Sequence, residues 1–349
     1  MKLLLYADNH FSKYSSILRN RGEKYSKRLE NQIDCLNWVE SIAVEKHCDA
    51  VICLGDFFDS SSLDAEEISA LQEIKWNPVV SRVFLVGNHE LGVDVNNYNT
   101  ANLFNLIDGS TVVSKPYTFV DGKTRICFLP YIVESQREDL EKYLFVGDKS
   151  YEKTIILSHN DILGAQYGAY VSKSGFSIDE IEKNCDLMIN GHIHNSGYVS
   201  KKIFNLGNLT GQNFNEDGSL YPHRVAILDT DTLEIVLIQN PFAIKFKKLY
   251  FVGEYDLCKI EHYLLAVSNG EFVLSVTCDE NNQQFIKDKL SGMNNLINFR
   301  IIIERTTKEI NEPQISHETF NHIDKFVEYI HETVGVSKLI DDELGEVVR

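Results

Sequence analysis

Short apolar runs of strand length recur through the first two thirds of the chain: "KLLLYA", "DAVICLG", "SRVFLVG", "RICFLPYI", "KTIILS", "CDLMING", "KKIFNLG" and "RVAILDT". Several are continuously apolar rather than alternating, which suits strands covered on both faces. Between the first two runs, Leu29, Ile33, Leu36, Val39 and Ile42 recur at helical spacing. A second helical pattern covers "LDAEEISALQEIK", with Ser62 or Asp64 as its N-cap. Strands and helices alternating in this order predict an α/β fold.

The pattern changes character near Pro241. After it, "EFVLSVTCDENNQQFIKDKLSGMNNLINFRIIIERTT" reads as strand, amphipathic helix, strand, the core of a small α+β domain. The last periodic segment places Phe320, Ile323, Phe326, Val327 and Ile330 on one helical face, which needs either the domain or a partner to cover it. The tail "DDELGEVVR" reads as loose. A chain of 349 residues, 43% hydrophobic, suffices for one sizeable core and a smaller second domain.

Composition narrows the setting. Asp8 interrupts the N-terminal leucine run well short of a secretory segment, and no stretch approaches the ~18 apolar residues of a membrane span. The expected location is cytoplasmic, with no membrane partner. The seven cysteines are odd in number and never arranged as C-x-x-C, so they read as buried free thiols rather than a disulfide framework or thiolate zinc site. A net charge of −17 argues against a generally basic, nucleic-acid-binding surface. Locally the balance reverses: Lys13, Arg19, Arg21, Lys24, Lys27 and Arg28 face the single acid Glu23. That run is either a solvated helix face or a contact for a phosphate backbone.

Polar residues cluster where the apolar runs stop. Asp8 and His10 follow the first, Asp56 the second, Asn88 and His89 the third, His159 "KTIILS", and His192 with His194 "CDLMING". Ligands of open α/β sheets bind beyond the carboxyl ends of the strands, so these groups share one rim. Oxygen and nitrogen donors without thiolate suit Mn²⁺, Fe or Zn²⁺. In extended backbone, residues i and i+2 point the same way, so Asp8/His10 and His192/His194 each aim two groups at one place. Gly55, Gly87 and Gly191 let the chain turn sharply as it leaves each strand.

The ordered set "DNH", "GDFFD", "GNHE", "SHN" and "GHIH" resembles the calcineurin-like metallophosphoesterase superfamily over about the first 240 residues. The resemblance implies a β-sandwich flanked by helices (αββα) and two divalent ions, most often Mn²⁺, with Mg²⁺ as the alternative. Asp8, His10, Asp56 and His194 would hold one ion; Asp56, Asn88, His159 and His192 the other. His89 would be the catalytic imidazole, and Glu90 is given no role.

Within that superfamily the chain is similar to SbcD-type DNA repair and recombination nucleases, including those of large lytic phages. "CDAVICLGDFFDSSS" carries the likeness, and Asp59 follows the bacterial and phage pattern. Asn208 and Leu209 depart from the usual Ser and Pro of the segment after the last motif. The implied organisation is a nuclease domain at 1–240, a capping, DNA-positioning α+β domain at 241–312, and a C-terminal helix at 313–349. Through Phe320, Ile323, Phe326, Val327 and Ile330 that helix would dock on an SbcC-type ATPase, in a complex built on a nuclease homodimer in the cytoplasm, the host's if phage-encoded. Rival readings are a phosphodiesterase acting on a small nucleotide, a protein Ser/Thr phosphatase and a non-catalytic scaffold. The phosphatase reading lacks its Arg after "GDFFD", and the scaffold reading sits poorly with a complete ligand set.

Overall fold

The structure, a computed structural model of the chain, describes residues 1–13, 20–91, 99–144, 150–167, 170–216, 221–253, 256–266 and 270–304. Arg19 and the helical face formed by Phe320, Ile323, Phe326, Val327 and Ile330 lie outside the described residues. Residues 1–304 form one compact unit and 305–349 a second.

The first strands are β1 (Lys2–Tyr6), β2 (Ala50–Cys53), β3 (Ser81–Leu85) and β4 (Ser110–Val113), all parallel. Next come β5 (Tyr117–Asp121), β6 (Thr124–Leu129) and β7 (Lys153–Ser158). Four two-residue strands follow: β8 (Ile162–Leu163), β9 (Gln166–Tyr167), β10 (Tyr170–Val171) and β11 (Phe176–Ser177). The chain continues through β12 (Leu187–Asn190), β13 (Gly197–Tyr198), β14 (Ile203–Asn205), β15 (Arg224–Asp229) and β16 (Ile235–Gln239). Two six-stranded sheets result, ordered β16-β15-β1-β2-β3-β4 and β13-β14-β12-β7-β6-β5.

The layers explain the continuous apolar runs. Leu3 and Leu5 of β1 point into a core shared with Ile155, Leu157 and Ile189 of the second sheet. Leu4 and Tyr6 point the other way, under helices α1 (Lys27–Glu45) and α2 (Ala65–Leu71). On the far side of the second sheet, Ile156 and Met188 pack against Ile181 of α3 (Ile178–Asn184). The αββα sandwich expected from the sequence is the one observed. Ser26 caps α1, and Asp64, not Ser62, caps α2 through a reciprocal capping box with Glu67.

Beneath the sandwich, at the amino ends of β1–β3, the sheets leave a cavity of about 280 Å³ lined mainly by apolar side chains, among them Leu3, Ile52, Val83, Val113, Phe119 and Phe128.

The third sheet departs from expectation. Strands β17 (Lys245–Phe251), β18 (Phe272–Cys278) and β19 (Leu296–Ile303) are all parallel, joined by α4 (Leu257–Ala266) and α5 (Gln283–Ser291). It is therefore a βαβαβ unit of α/β type, not α+β, since both crossovers between its parallel strands run through a helix. Its residues Ile244, Phe246 and Val273 pack around Phe214, so the expected break at 240 separates sheets inside one compact unit. Two cysteines also differ from expectation: Cys258 is exposed and Cys48 half-buried. No helix of the described residues is long and apolar enough to cross a membrane.

Candidate metal centre

The carboxyl ends of β1, β2, β3, β7 and β12 deliver Asp8, His10, Asp56, Asn88, His89, His159, His192 and His194 to one rim. The backbone there is not extended. Asp8, His10, Asp56 and His192 have φ of 51°, 48°, 49° and 74°, the left-handed region. The i, i+2 argument is thus overturned: Asp8 and His10 converge because the chain coils through strained turns costing about 1–3 kcal/mol each. Backbone hydrogen bonds brace the first turn, with Asp8 N–H donating to Gly55 O (3.1 Å) and His10 N–H to Asp56 O (2.9 Å). From α1, Gln32 Nε2 donates to the carbonyls of Asn9 and His10, both at 2.8 Å.

Two glycines serve in different ways. Gly55 has φ of +102°, so it does provide a turn. Gly87 is not left-handed; a Cβ there would lie 2.1 Å from Asp56 Oδ1, so it is required for close approach.

The side chains form three donor groups, one of which, His10, Asp59 and His89, shares His10 with a neighbour. Asp8, His10 and His194 make one and Asp56, His159 and His192 another, the ligand atoms within each lying within 4.8 Å of one another. His10 Nε2 faces His194 Nε2 at 3.1 Å. Asp56 Oδ2 lies 3.1 Å from His159 Nε2 and 3.8 Å from His10 Nε2, which places it between the two groups. Asn88 Oδ1 lies 2.9 Å from His192 Nδ1 and 3.3 Å from His159 Nε2. Both carboxylate oxygens of Asp8 are buried with no hydrogen-bond partner. A buried carboxylate without donors, beside imidazole nitrogens turned toward one another, calls for a cation. These residues fit divalent metal ions.

Three of the four imidazoles, His159, His192 and His194, are hydrogen-bonded on their other nitrogen, and His10 Nδ1 has the Asp59 carboxylate beside it without a formed hydrogen bond. Asp59 Oδ1 lies 3.2 Å from His10 Nδ1, Asp161 Oδ1 3.2 Å from His192 Nε2, and Glu216 Oε1 2.7 Å from His194 Nδ1. His159 Nδ1 donates to Leu54 O at 2.6 Å. A proton held on the bonded nitrogen leaves His159 Nε2, His194 Nε2 and His192 Nδ1 as lone-pair donors able to face a cation, with His10 Nε2 turned to the same space. Burial opposes charge on His159, but the Asp56 carboxylate outweighs it and carries the imidazole up to about 9. Burial likewise opposes charge on Asp56, yet the surrounding His159, His10 and His89 hold its carboxyl well below the ordinary range.

His89 is not in the Asp8/His10/His194 or Asp56/His159/His192 group; it falls in the third, with His10 and Asp59. Its side chain is 40% exposed, its ring meets His10 edge-on at 4.5 Å, and its Nδ1 lies 2.8 Å from the Asp59 carbonyl. Because a carbonyl oxygen can only accept, that contact places a proton on His89 Nδ1. Its backbone N–H donates to Asp56 Oδ1 at 2.9 Å.

Several residues of the site escape the sequence reading. Glu90 has a role after all: fully buried, it accepts the backbone N–H groups of Asp56 (3.2 Å), Phe58 (2.9 Å) and Gly87 (2.6 Å), tying two ligand loops together. Burial and the neighbouring Asp56 charge push its carboxyl up to about 8. Asp161 follows the same apolar run as His159 and could have been found by that position; Glu216 has no comparable signal.

The described cations of the basic run are each engaged with other groups. Lys13 pairs with Asp64, Arg21 with Glu66 (3.0 Å), Lys24 with Glu73 (2.5 Å) and Lys27 with Glu271 (2.9 Å). Arg28 is only 4% exposed; it donates to the carbonyls of His10 and Ser12 and to Gln212 Oε1, supporting the first ligand loop from within.

Among solved structures, a dimetal phosphatase from Danio rerio is similar, with 15% identity over 69% of this chain and 99% of that one and a TM-score of 0.37. A protein of unknown function from Aquifex aeolicus is 17% identical over 55% of this chain and 79% of that one, with a TM-score of 0.29. No curated protein sequence matches. Residues 1–196 match the calcineurin-like phosphoesterases, and with the motifs of both sheets inside that span, the chain belongs to the calcineurin-like phosphoesterase family.

Proposed function

We propose that this protein is a two-metal phosphodiesterase that cuts DNA, the nuclease subunit of an SbcD-type complex with an SbcC-type ATPase. The observation that carries the hydrolytic part is Asp56, whose carboxylate stands between the Asp8/His10/His194 and His159/His192 groups with His89 alongside. In this reading Asp8, His10, Asp56 and His194 hold one ion, and Asp56, Asn88, His159 and His192 the other, Mn²⁺ with Mg²⁺ as alternative. Such ions polarise phosphoryl oxygens and acidify a water molecule. His89 supplies the remaining function: held at Nδ1 by Asp59, it presents Nε2 to protonate the departing oxygen or to stabilise charge on it.

The DNA assignment draws support from the "GDFFD" motif and from the third sheet that follows the phosphoesterase sandwich. The ATPase is proposed to dock through Phe320, Ile323, Phe326, Val327 and Ile330, in a complex containing two nuclease subunits. A second reading, a phosphodiesterase of small nucleotides, is favoured by the pairing of Lys13, Arg21, Lys24 and Lys27 with carboxylates, which leaves little charge for a DNA backbone. The test is incubation of the full chain, alone and with a coiled-coil ATPase partner, with Mn²⁺ and labelled single- and double-stranded DNA, beside bis-p-nitrophenyl phosphate. Cleavage of both substrate types supports the nuclease; cleavage of the small diester alone under every condition overturns it in favour of the second reading.

A further inference from the structure

The turn at 210–216 touches three things at once. On the metal side, Glu216 is 4% exposed, its Oε1 lying 2.7 Å from His194 Nδ1 while its Oε2 accepts the Gln212 N–H at 2.8 Å. Gln212 Nε2 in turn donates to the carbonyls of Asn9 (3.1 Å) and Asp8 (3.4 Å), the loop that carries the first ligands. On the other side the turn is fastened to the third sheet. Gly211 N–H donates to Ile244 O and Ile244 N–H to Thr210 Oγ1, both at 3.0 Å. Phe214 meets the Phe246 ring edge-on at 5.2 Å, and the Arg300 guanidinium lies over its ring at 4.3 Å.

We propose that Glu216 is a positioning residue: it holds the proton of His194 on Nδ1 so that Nε2 serves the ion shared with Asp8 and His10, and the third sheet seats Glu216 through Phe214. The inference rests on the two-ion reading above and adds an asymmetry to it. His159 and His192 are backed by Leu54 O and Asp161, groups outside this turn. Disturbing Glu216 therefore weakens one ion and spares the other. It also means that whatever displaces the third sheet alters the affinity of that one half of the centre.

The test measures Mn²⁺ binding by calorimetry on the full chain, with the His194 ring nitrogens followed by ¹⁵N NMR in metal-free protein. Glu216→Ala is expected to lose about 10–100-fold in affinity for one of two ions. The same variant shifts His194 from the single Nδ1–H tautomer to a mixture. Glu216→Gln, whose amide oxygen still accepts the Nδ1 proton, recovers much of both. Phe214→Ala, which touches no ligand, moves both readouts in the same direction by less. Unchanged affinities with an unchanged tautomer in Glu216→Ala overturn the proposal, as does equal weakening of both ions. Wild-type protein that binds no Mn²⁺ overturns the two-ion reading instead, and the metal-free tautomer still decides the role of Glu216.

Discussion

Glu90 Oε2 accepts the backbone N–H of Asp56 at 3.2 Å, joining the loop after β3 to the loop after β2. With Phe58 and Gly87 also donating to it, one buried carboxylate sets the spacing of the rim. Glu90→Ala strands three buried amides, at about 1–3 kcal/mol for each unsatisfied group. A loss of at least ~3 kcal/mol in urea unfolding of the metal-free chain is expected; less than ~1 kcal/mol would show that the loops hold without it.

His89→Ala separates chemistry from folding. The side chain is 40% exposed, so its removal changes stability by no more than about 0.5 kcal/mol. The turnover number on bis-p-nitrophenyl phosphate falls about 10²–10⁴-fold, the range for loss of a positioned acid or base. Steady-state kinetics beside a thermal melt decide it.

Divalent metal is expected to stabilise the fold, since the unpaired Asp8 carboxylate and facing His10 and His194 are brought together only in the folded chain. Mn²⁺ at 100 times its dissociation constant adds about 2.7 kcal/mol per independent site, and chelation removes it. A melting temperature indifferent to both Mn²⁺ and chelator would contradict the assignment of these residues as ligands.

Away from the site, Arg82 of β3 meets Glu40 of α1 in two hydrogen bonds of 2.8 and 2.6 Å, both side chains 4% exposed. Glu40→Ala leaves a buried guanidinium and costs about 3–5 kcal/mol. Replacing the pair by Leu and Met is much milder. Denaturant midpoints of the single and double variants measure the difference.

The cavity beneath the sandwich offers the opposite effect. Ala50 opens β2 on its wall, and Ala50→Ile fills part of the ~280 Å³. A gain of about 0.5–2 kcal/mol is expected, with activity unchanged because the rim is at the other end of the strands. A lowered melting temperature would mean that the gap is too rigid to accept the extra methylenes.

The sequence made the sandwich legible in a particular way. All eight apolar runs read from it are interior strands, while the missed strands β4, β5, β13 and β16 are the four sheet edges. Interior strands are buried on both faces and announce themselves; an edge such as "IVLIQ" is half exposed and carries a weaker pattern. The donor side chains were legible because they stop apolar runs. Their supports were not, since Glu216 and Arg28 reach the centre from distant segments, and a contact made in three dimensions leaves no periodicity. The acidic partners of the basic run were not legible for the same reason: they lie on other elements.

The left-handed turns at Asp8, His10 and Asp56 are held by hydrogen bonds to Gly55, to one another and to Glu90 that need no ion. The donors are therefore arranged before any metal arrives, and the conformational search is over by the time folding ends. Exchange of one metal for another is then limited by how fast the incoming cation sheds its water, so Mg²⁺, which dehydrates reluctantly, enters more slowly than Mn²⁺ even where both are held by the same atoms.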